Sequence, residues 1–303
     1  MIVIAKKVGR LANRLLLFAH FIGTAVEHGF SVANPAFASY ARYFPATARD
    51  LFCRFPPRRS VPSHRLTRES LYRGILLTGG VLHWLQRHGR DVGLIRLRRD
   101  QSLDLNSTAF LSVIRRHRIV LVQDWFFRSP HNLMKHRDVI RSYFTPWEHH
   151  LVRARAIVSP ARERQRFLVG VHVRRGDYNR FKGGRFFYSY LQYRRVMESV
   201  QAAFPAERVS FLVCSDAPVP PGAFAGFDVL YGNGHELEDL YALAACDRLI
   251  GPPSTYSMWA SFYGGVPRYE IVDPAAQRLE VRAFRVESGL AYAALPSVPG
   301  GHS

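Results

Sequence analysis

Residues 172–178 read His-Val-Arg-Arg-Gly-Asp-Tyr and end an apolar run that begins at Phe167. Two adjacent guanidiniums, an imidazole and a carboxylate at a strand end can orient and neutralise a phosphorylated ligand, because guanidinium forks match phosphate oxygens. Alternate side chains of a strand share a face, so His172 and Arg174 project together while Val171 and Val173 enter the opposite packing layer. Arg175 leaves the strand at its carboxyl end, where open α/β sheets bind ligands, and Gly176 lets the chain turn sharply there. Arg175-Gly176-Asp177 also spells an adhesion tripeptide, but that reading rests on three residues and needs an exposed extracellular loop.

Two further groups bear on the same chemistry. Residues 251–265, GPPSTYSMWASFYGG, run from a strand through a proline pair and a hydroxyl cluster into an apolar helix. Ser254, Thr255 and Ser257 stand where capping groups and free backbone N–H groups accumulate, which suits an anion; ordinary capping accounts for them equally well. Glu236, Glu238 and Asp239 open another helix, where acids complement the dipole. A carboxylate there can also accept the paired N–H groups of guanine. No Asp-x-Asp, Walker A, Gly-x-Ser-x-Gly or complete dinucleotide fingerprint is present, so a diphosphate would be neutralised by arginines, hydroxyls and a helix end.

These groups need a frame. The pattern predicts a strand over 1–5, a glycine turn and a helix over 15–26, an irregular Pro- and Arg-rich stretch over 34–67, and a helix over 70–86. A strand over 119–123 and helices over 131–144 and 148–157 follow, broken at Pro146. After Pro160 the alternation becomes regular: strands over 167–174, 209–215, 228–231, 248–251 and 269–272, with helices over 191–204, 237–246 and 257–263. Alternating strands and helices imply a parallel sheet with right-handed crossovers. The expected division is an N-terminal α/β domain over 1–163, a Rossmann-like domain over 164–295 and a tail over 296–303.

At 303 residues and 48% hydrophobic composition the chain can supply a core for each domain. Cys53, Cys214 and Cys246 form no metal or disulfide pattern and read as buried hydrophobes; the histidine spacings match no helical zinc site, so no metal is expected. The amino-terminal stretch is apolar before Lys6 and Lys7, the reverse of a secretory signal, and no run is long enough to span a bilayer. A cytoplasmic protein is expected, peripheral at the inner membrane face if attached at all. The formal charge of +19 is uneven: 26 Lys and Arg against 9 Asp and Glu up to Pro160, then 16 against 14. Such a half suits nucleic acid, an anionic membrane or an acidic substrate, and equally a solvated surface of biased composition.

The segment His172–Tyr178 resembles the His-x-Arg-Arg-Gly-Asp-Tyr signature of the α-1,2-fucosyltransferase family (glycosyltransferase family 11). The opening MIVIAKKVGRLANRLLLFAHFIGTA, then QDWFFRS, FLVCSDAP and EDLYALAACDRLIGPPSTYSMWASFYG are similar to that family's other landmarks, in its order. The resemblance implies a GT-B-like fold of two Rossmann-type domains and metal-independent, inverting transfer of L-fucose from GDP-β-L-fucose to a glycan hydroxyl, with an α-1,2 linkage on galactose. Carried over by motif, Arg174 and Arg175 hold the β-phosphate and stabilise the departing GDP. Ser254, Thr255, Tyr256 and Ser257 meet phosphate and ribose, Asp239 the guanine, and Asn13 and Asp216 complete the donor site. Arg175, Asp177 and His172 are the catalytic candidates, with Asp177 either orienting or accepting a proton.

The chain departs from the family pattern at Arg14, Pro253, Tyr256, Met258 and in the loop 179–188, positions that flank sugar and acceptor. Another GDP-sugar or a non-glycan acceptor is the alternative within the same fold. A basic nucleic-acid-binding protein is the alternative from another class, motivated by Arg115-Arg116-His117-Arg118; no nucleic-acid module is visible and no such partner is expected.

Overall fold

A computed structural model describes residues 1–58, 65–85, 91–98, 101–275 and 279–288. It forms two compact units. Unit 1 comprises Met1–Arg10, Arg14–Thr145 and the described residues from Glu287 onward; unit 2 comprises Leu11–Asn13 and Pro146–Val286. The division at 145/146 lies ahead of the expected 163/164, because the helix that precedes the first strand of unit 2 packs with that unit. The expected tail over 296–303 lies outside the described residues.

In unit 1 the strands and helices are β1 (Ile2–Ile4), α1 (Leu11–His28), β2 (Val32–Ala33), α2 (Pro45–Ala48), β3 (Arg54–Phe55), α3 (Arg65–Leu85), β4 (Val92–Arg96), β5 (Leu103–Asp104), α4 (Thr108–Arg116), β6 (Ile119–Gln123), β7 (Phe127–Arg128), α5 (Pro130–Lys135) and α6 (Arg137–Tyr143). The main sheet has the order β3-β2-β1-β6-β4, parallel except for β3. Val3, Ala5, Ala33 and Leu121 form a core that Ile75 of α3 joins. Phe18 of α1 packs edge-on against Tyr143 and Phe144 at 5.5 and 5.6 Å. The expected helix over 131–144 is two helices that meet at His136, whose φ of −106° and ψ of 24° interrupt the first while its ring contacts Glu27.

Unit 2 contains α7 (Glu148–Glu163), β8 (Phe167–Val173), α8 (Tyr190–Ala203), β9 (Val209–Ser215), β10 (Val229–Tyr231), α9 (Glu238–Leu243), β11 (Arg248–Gly251), α10 (Thr255–Gly264) and β12 (Arg268–Glu270). All five strands are parallel in the order β10-β9-β8-β11-β12. The chain runs outward from β8 through β9 to β10, then returns through α9 to β11 on the other side of β8. The topological switch point therefore lies at the carboxyl ends of β8, β9 and β11, where this architecture binds ligands. Val169, Val171 and Val173 enter the core shared with Tyr193, Met197 and Val200 of α8. This is the packing layer expected of the odd-numbered positions. The three cysteines are buried, and burial raises the Cys53 thiol to about 12. No helix among the described residues is long and apolar enough to cross a membrane.

Candidate active site

The loop after β8 is built around Arg174. Its guanidinium meets Asp177 Oδ1 and Asp216 Oδ2, both at 2.7 Å, and lies 5.0 Å from the centre of the Tyr178 ring. Asp216 follows β9, and its second oxygen accepts the Arg175 N–H at 2.7 Å. One carboxylate thus fixes the backbone of one arginine and the side chain of the other. A Cβ on residue 176 would lie 2.4 Å from Asp216 Oδ2, so only glycine admits the carboxylate. Asp177 is exposed, with a side chain 58% accessible, whereas Arg174 is at 15%. Asp177 can therefore leave for solvent at low cost and free the inner guanidinium for another anion.

Arg175 is held differently. Its guanidinium donates to the Tyr188 carbonyl at 2.8 Å and lies over the rings of Phe187 and Tyr190, at 4.0 and 4.9 Å. Aromatic faces favour a cation without neutralising its charge. Phe187 and Tyr188, in the 179–188 stretch where the chain departs from the family pattern, supply this seat together with Tyr190 just beyond it. The two arginines end up with separate partners: carboxylates for Arg174, rings and a carbonyl for Arg175.

His172 is 4% exposed and packs against Tyr256 with the rings tilted by 32° and their centres 4.9 Å apart. Burial, then the charges of Arg174 and Arg268, push its pKa down to about 3, so the imidazole is neutral at physiological pH. Its Nδ1 finds no hydrogen-bond partner among the described residues. An imidazole that gains its proton only near pH 3 is a weak base, which suits positioning through the Tyr256 ring contact better than proton abstraction. It adds no positive charge to the arginines.

The hydroxyl cluster caps α10: Ser254 Oγ accepts the Tyr256 N–H at 3.3 Å, and Ser257 Oγ donates to the Ser254 carbonyl at 3.1 Å. Thr255 Oγ1 donates to Asn13 Oδ1 at 2.5 Å, Asn13 being grouped with unit 2 rather than with the first domain. Tyr178 donates its hydroxyl to the Pro253 carbonyl, and Tyr256 to that of Glu236. Tyr178 thereby ties the arginine loop to the start of α10.

Asp239 opens α9, after β10. It is 5% exposed and accepts the N–H groups of Asn233 at 2.8 Å and Gly234 at 3.2 Å. Burial raises its pKa. A Cβ at Gly232 would approach the carboxylate to 2.5 Å, so the loop closes tightly over it. Asp239 thus shapes the loop after β10, and a purine edge would compete with those backbone donors.

One cluster near the site escaped the spacing analysis. His150, His235 and Glu238 each offer a ligand atom within 4.8 Å of the others. Glu238 Oε1 accepts from His150 Nδ1 at 2.8 Å and Arg153 at 3.3 Å, and Oε2 accepts from Asn233 at 2.6 Å. These donors outweigh its burial and hold its carboxyl below the usual range. His235 Nδ1 accepts the N–H groups of Leu237 and Glu238, which puts the proton of the neutral ring on Nε2. A cation would have to displace Arg153 and that cap, so the donor set fits a hydrogen-bonded bridge from α7 to α9 better than a metal. Residues so far apart in the chain carry no local signal of it.

The model of one protein family, glycosyl transferase family 11, matches residues 124–285, just over half of the chain and including the segment from Arg174 to Ser257. The chain belongs to glycosyl transferase family 11. This is the fucosyltransferase family to which the motifs pointed. A solved mutant of Arabidopsis thaliana FUT1 in complex with GDP is similar at 13% identity and a TM-score of 0.57, over 94% of this chain and 73% of that one. The NodZ α-1,6-fucosyltransferase, co-crystallised with GDP, is similar at 16% identity and a TM-score of 0.52, over 89% and 94%. At these identities the two structures speak for the fold, which is GT-B-like and α/β throughout. No curated protein matches the chain. The span matched by the family 11 model includes β8 and the switch point of unit 2.

Proposed function

We propose that this family 11 protein transfers L-fucose from GDP-β-L-fucose to a hydroxyl of a glycan, with inversion, forming an α-1,2 linkage on galactose. The observation that carries the reading is Arg174 poised between Asp177 and Asp216 at the switch point, beside the capped start of α10. A donor diphosphate placed there would exchange with the exposed Asp177 and take the Arg174 guanidinium, while Asp216 keeps that side chain and the Arg175 backbone in register. Arg175 would supply the second cation, and the first N–H groups of α10 with the hydroxyls of Ser254, Thr255 and Ser257 would add donors. That both similar structures were solved with GDP supports a GDP-linked donor.

In the transfer the acceptor hydroxyl attacks C1 of fucose as the bond from C1 to the phosphate oxygen breaks. The electron pair leaves with GDP, where preorganised cations stabilise it without a metal. Asp177, once released from Arg174, is the carboxylate that would orient the acceptor or take its proton. Neutral His172 would hold Tyr256 against the donor, and Asp239 would shape the guanine end. Incubation with GDP-fucose and galactose-terminated acceptors tests the reading: a deoxyhexose increment at O2 is expected. A different mass increment from another GDP-sugar would favour the alternative motivated by Tyr256, Met258 and the 179–188 loop.

A further inference from the structure

The outer face of α3 carries three large apolar residues where solvent would ordinarily select polar ones. Leu66 and Leu77 are 80% and 72% exposed, the two most exposed large hydrophobics among the described residues, and Val81 is 54% exposed. At the helical period these three and Arg73 fall within about 80° of one another. The opposite side is seated on unit 1: Arg68 and Tyr72 are buried, and Ile75 packs against the core of β1 and β6. Helix α3 thus has a buried face and, opposite it, a stripe about 20 Å long from Leu66 to Val81 whose apolar residues are exposed among the described residues, with Ser70 and Arg73 between them. At its amino-terminal end a cleft of about 540 Å³ is lined by Lys7, Ala38, Ser39, Leu66, Glu69 and Arg73. Glu69 is neutralised there by Lys7 at 2.8 Å, with Arg73 at 3.8 Å.

Charge decides which partner fits. Residues 1–145 carry 24 Lys and Arg against 8 Asp and Glu. A second copy pressed on this face would bring the same excess against itself, whereas an anionic bilayer attracts it and accepts exposed leucines at the headgroup boundary. We infer that α3 docks unit 1 on an anionic lipid surface, with Leu66, Leu77 and Val81 entering the headgroup boundary and Arg73 meeting lipid phosphates. The inference is independent of the donor-site reading.

The test is co-sedimentation of the whole protein with phosphatidylcholine vesicles, with and without phosphatidylglycerol. Binding at low salt should be about tenfold or more stronger on the anionic vesicles and should weaken as salt screens the charge. The triple variant Leu66→Ser, Leu77→Ser, Val81→Ser should lose most of that binding, and Arg73→Glu part of it. GDP titration and thermal unfolding of both variants should match wild type, which separates docking from folding and from the donor site. No binding at low salt would overturn the inference, as would unchanged binding of the triple variant. A dimer that forms with rising concentration and that the triple variant abolishes would assign the stripe to a second copy instead.

Discussion

The two units use charge in opposite ways. From residue 161 onward basic and acidic residues nearly balance, and individual pairs hold the architecture: Arg174 with Asp177 and Asp216, Arg162 with Asp247, Arg268 with Glu270. Unit 1 carries a threefold excess of basic residues, too few acids to pair them, and its most exposed apolar stripe. In unit 2 electrostatics is a matter of ångströms and orientation; in unit 1 it is a field. The first kind can single out a diphosphate and the second a charged surface, so a single net charge of +19 conceals two distributions of charge.

Variants separate the two. The largest effect is expected from Gly176→Ala and Asp216→Asn, which act on one contact from opposite sides. The added Cβ would push Asp216 away, and the amide would remove the charge opposite Arg174. Each should lower kcat/KM about 10²-fold or more, as loss of a preorganised transition-state contact does. Steady-state kinetics with GDP-fucose, beside a circular dichroism spectrum, checks this. Asp216→Glu should not rescue Gly176→Ala, because the longer acid crowds the same loop.

Acid should affect both units alike, which sharpens the contrast. His20 in unit 1 and His172 in unit 2 are each buried, with pKa values pushed down from 6.5 to about 3, chiefly by burial. The unfolded chain binds a proton at each site that the folded chain refuses between those values. Stability is therefore full above pH 6.5 and falls as pH drops towards 3, by about 1.4 kcal/mol per pH unit for each histidine. His20→Gln and His172→Gln should each make the acid-unfolding curve about one proton shallower. An unchanged slope would mean that the histidine in question is protonated in the fold.

A smaller effect is expected at Tyr256, where the family pattern has Phe. Tyr256→Phe removes only the hydroxyl that donates to the Glu236 carbonyl at 2.8 Å. It should cost about 1 kcal/mol of stability, measured by denaturant unfolding, and leave transfer nearly intact. A large loss of activity would give the hydroxyl a role at the donor.

Much of unit 2 was legible in the sequence. Strands β9 and β11 have the predicted bounds, because both are short apolar runs between clear breakers. The alternation of Val171, His172 and Val173 foretold which side chains face α8 and which the site. Unit 1 was less legible. Strands β4, β5 and β7 are short, half-buried pieces whose pairing depends on neighbours, and they carry no strong period of their own. In unit 2, helix α7 continues to Glu163, beyond the predicted end, and accommodates Pro160 in its last turn. At the site the arginines and hydroxyls were readable by type and position. Motif resemblance named Asp216, yet neither it nor local spacing disclosed its pairing with Arg174. The bridge from Glu238 to His150 and the aromatic seat of Arg175 arise only when distant segments meet.

The most direct test of the central claim is calorimetric titration of the purified protein with GDP, in the presence and absence of Mg²⁺, for wild type and Arg175→Ala. The account predicts binding to wild type that is indifferent to Mg²⁺ and that disappears in a folded Arg175→Ala protein. No GDP binding to folded wild type, or equal binding by the variant, would contradict a diphosphate site at the carboxyl end of β8.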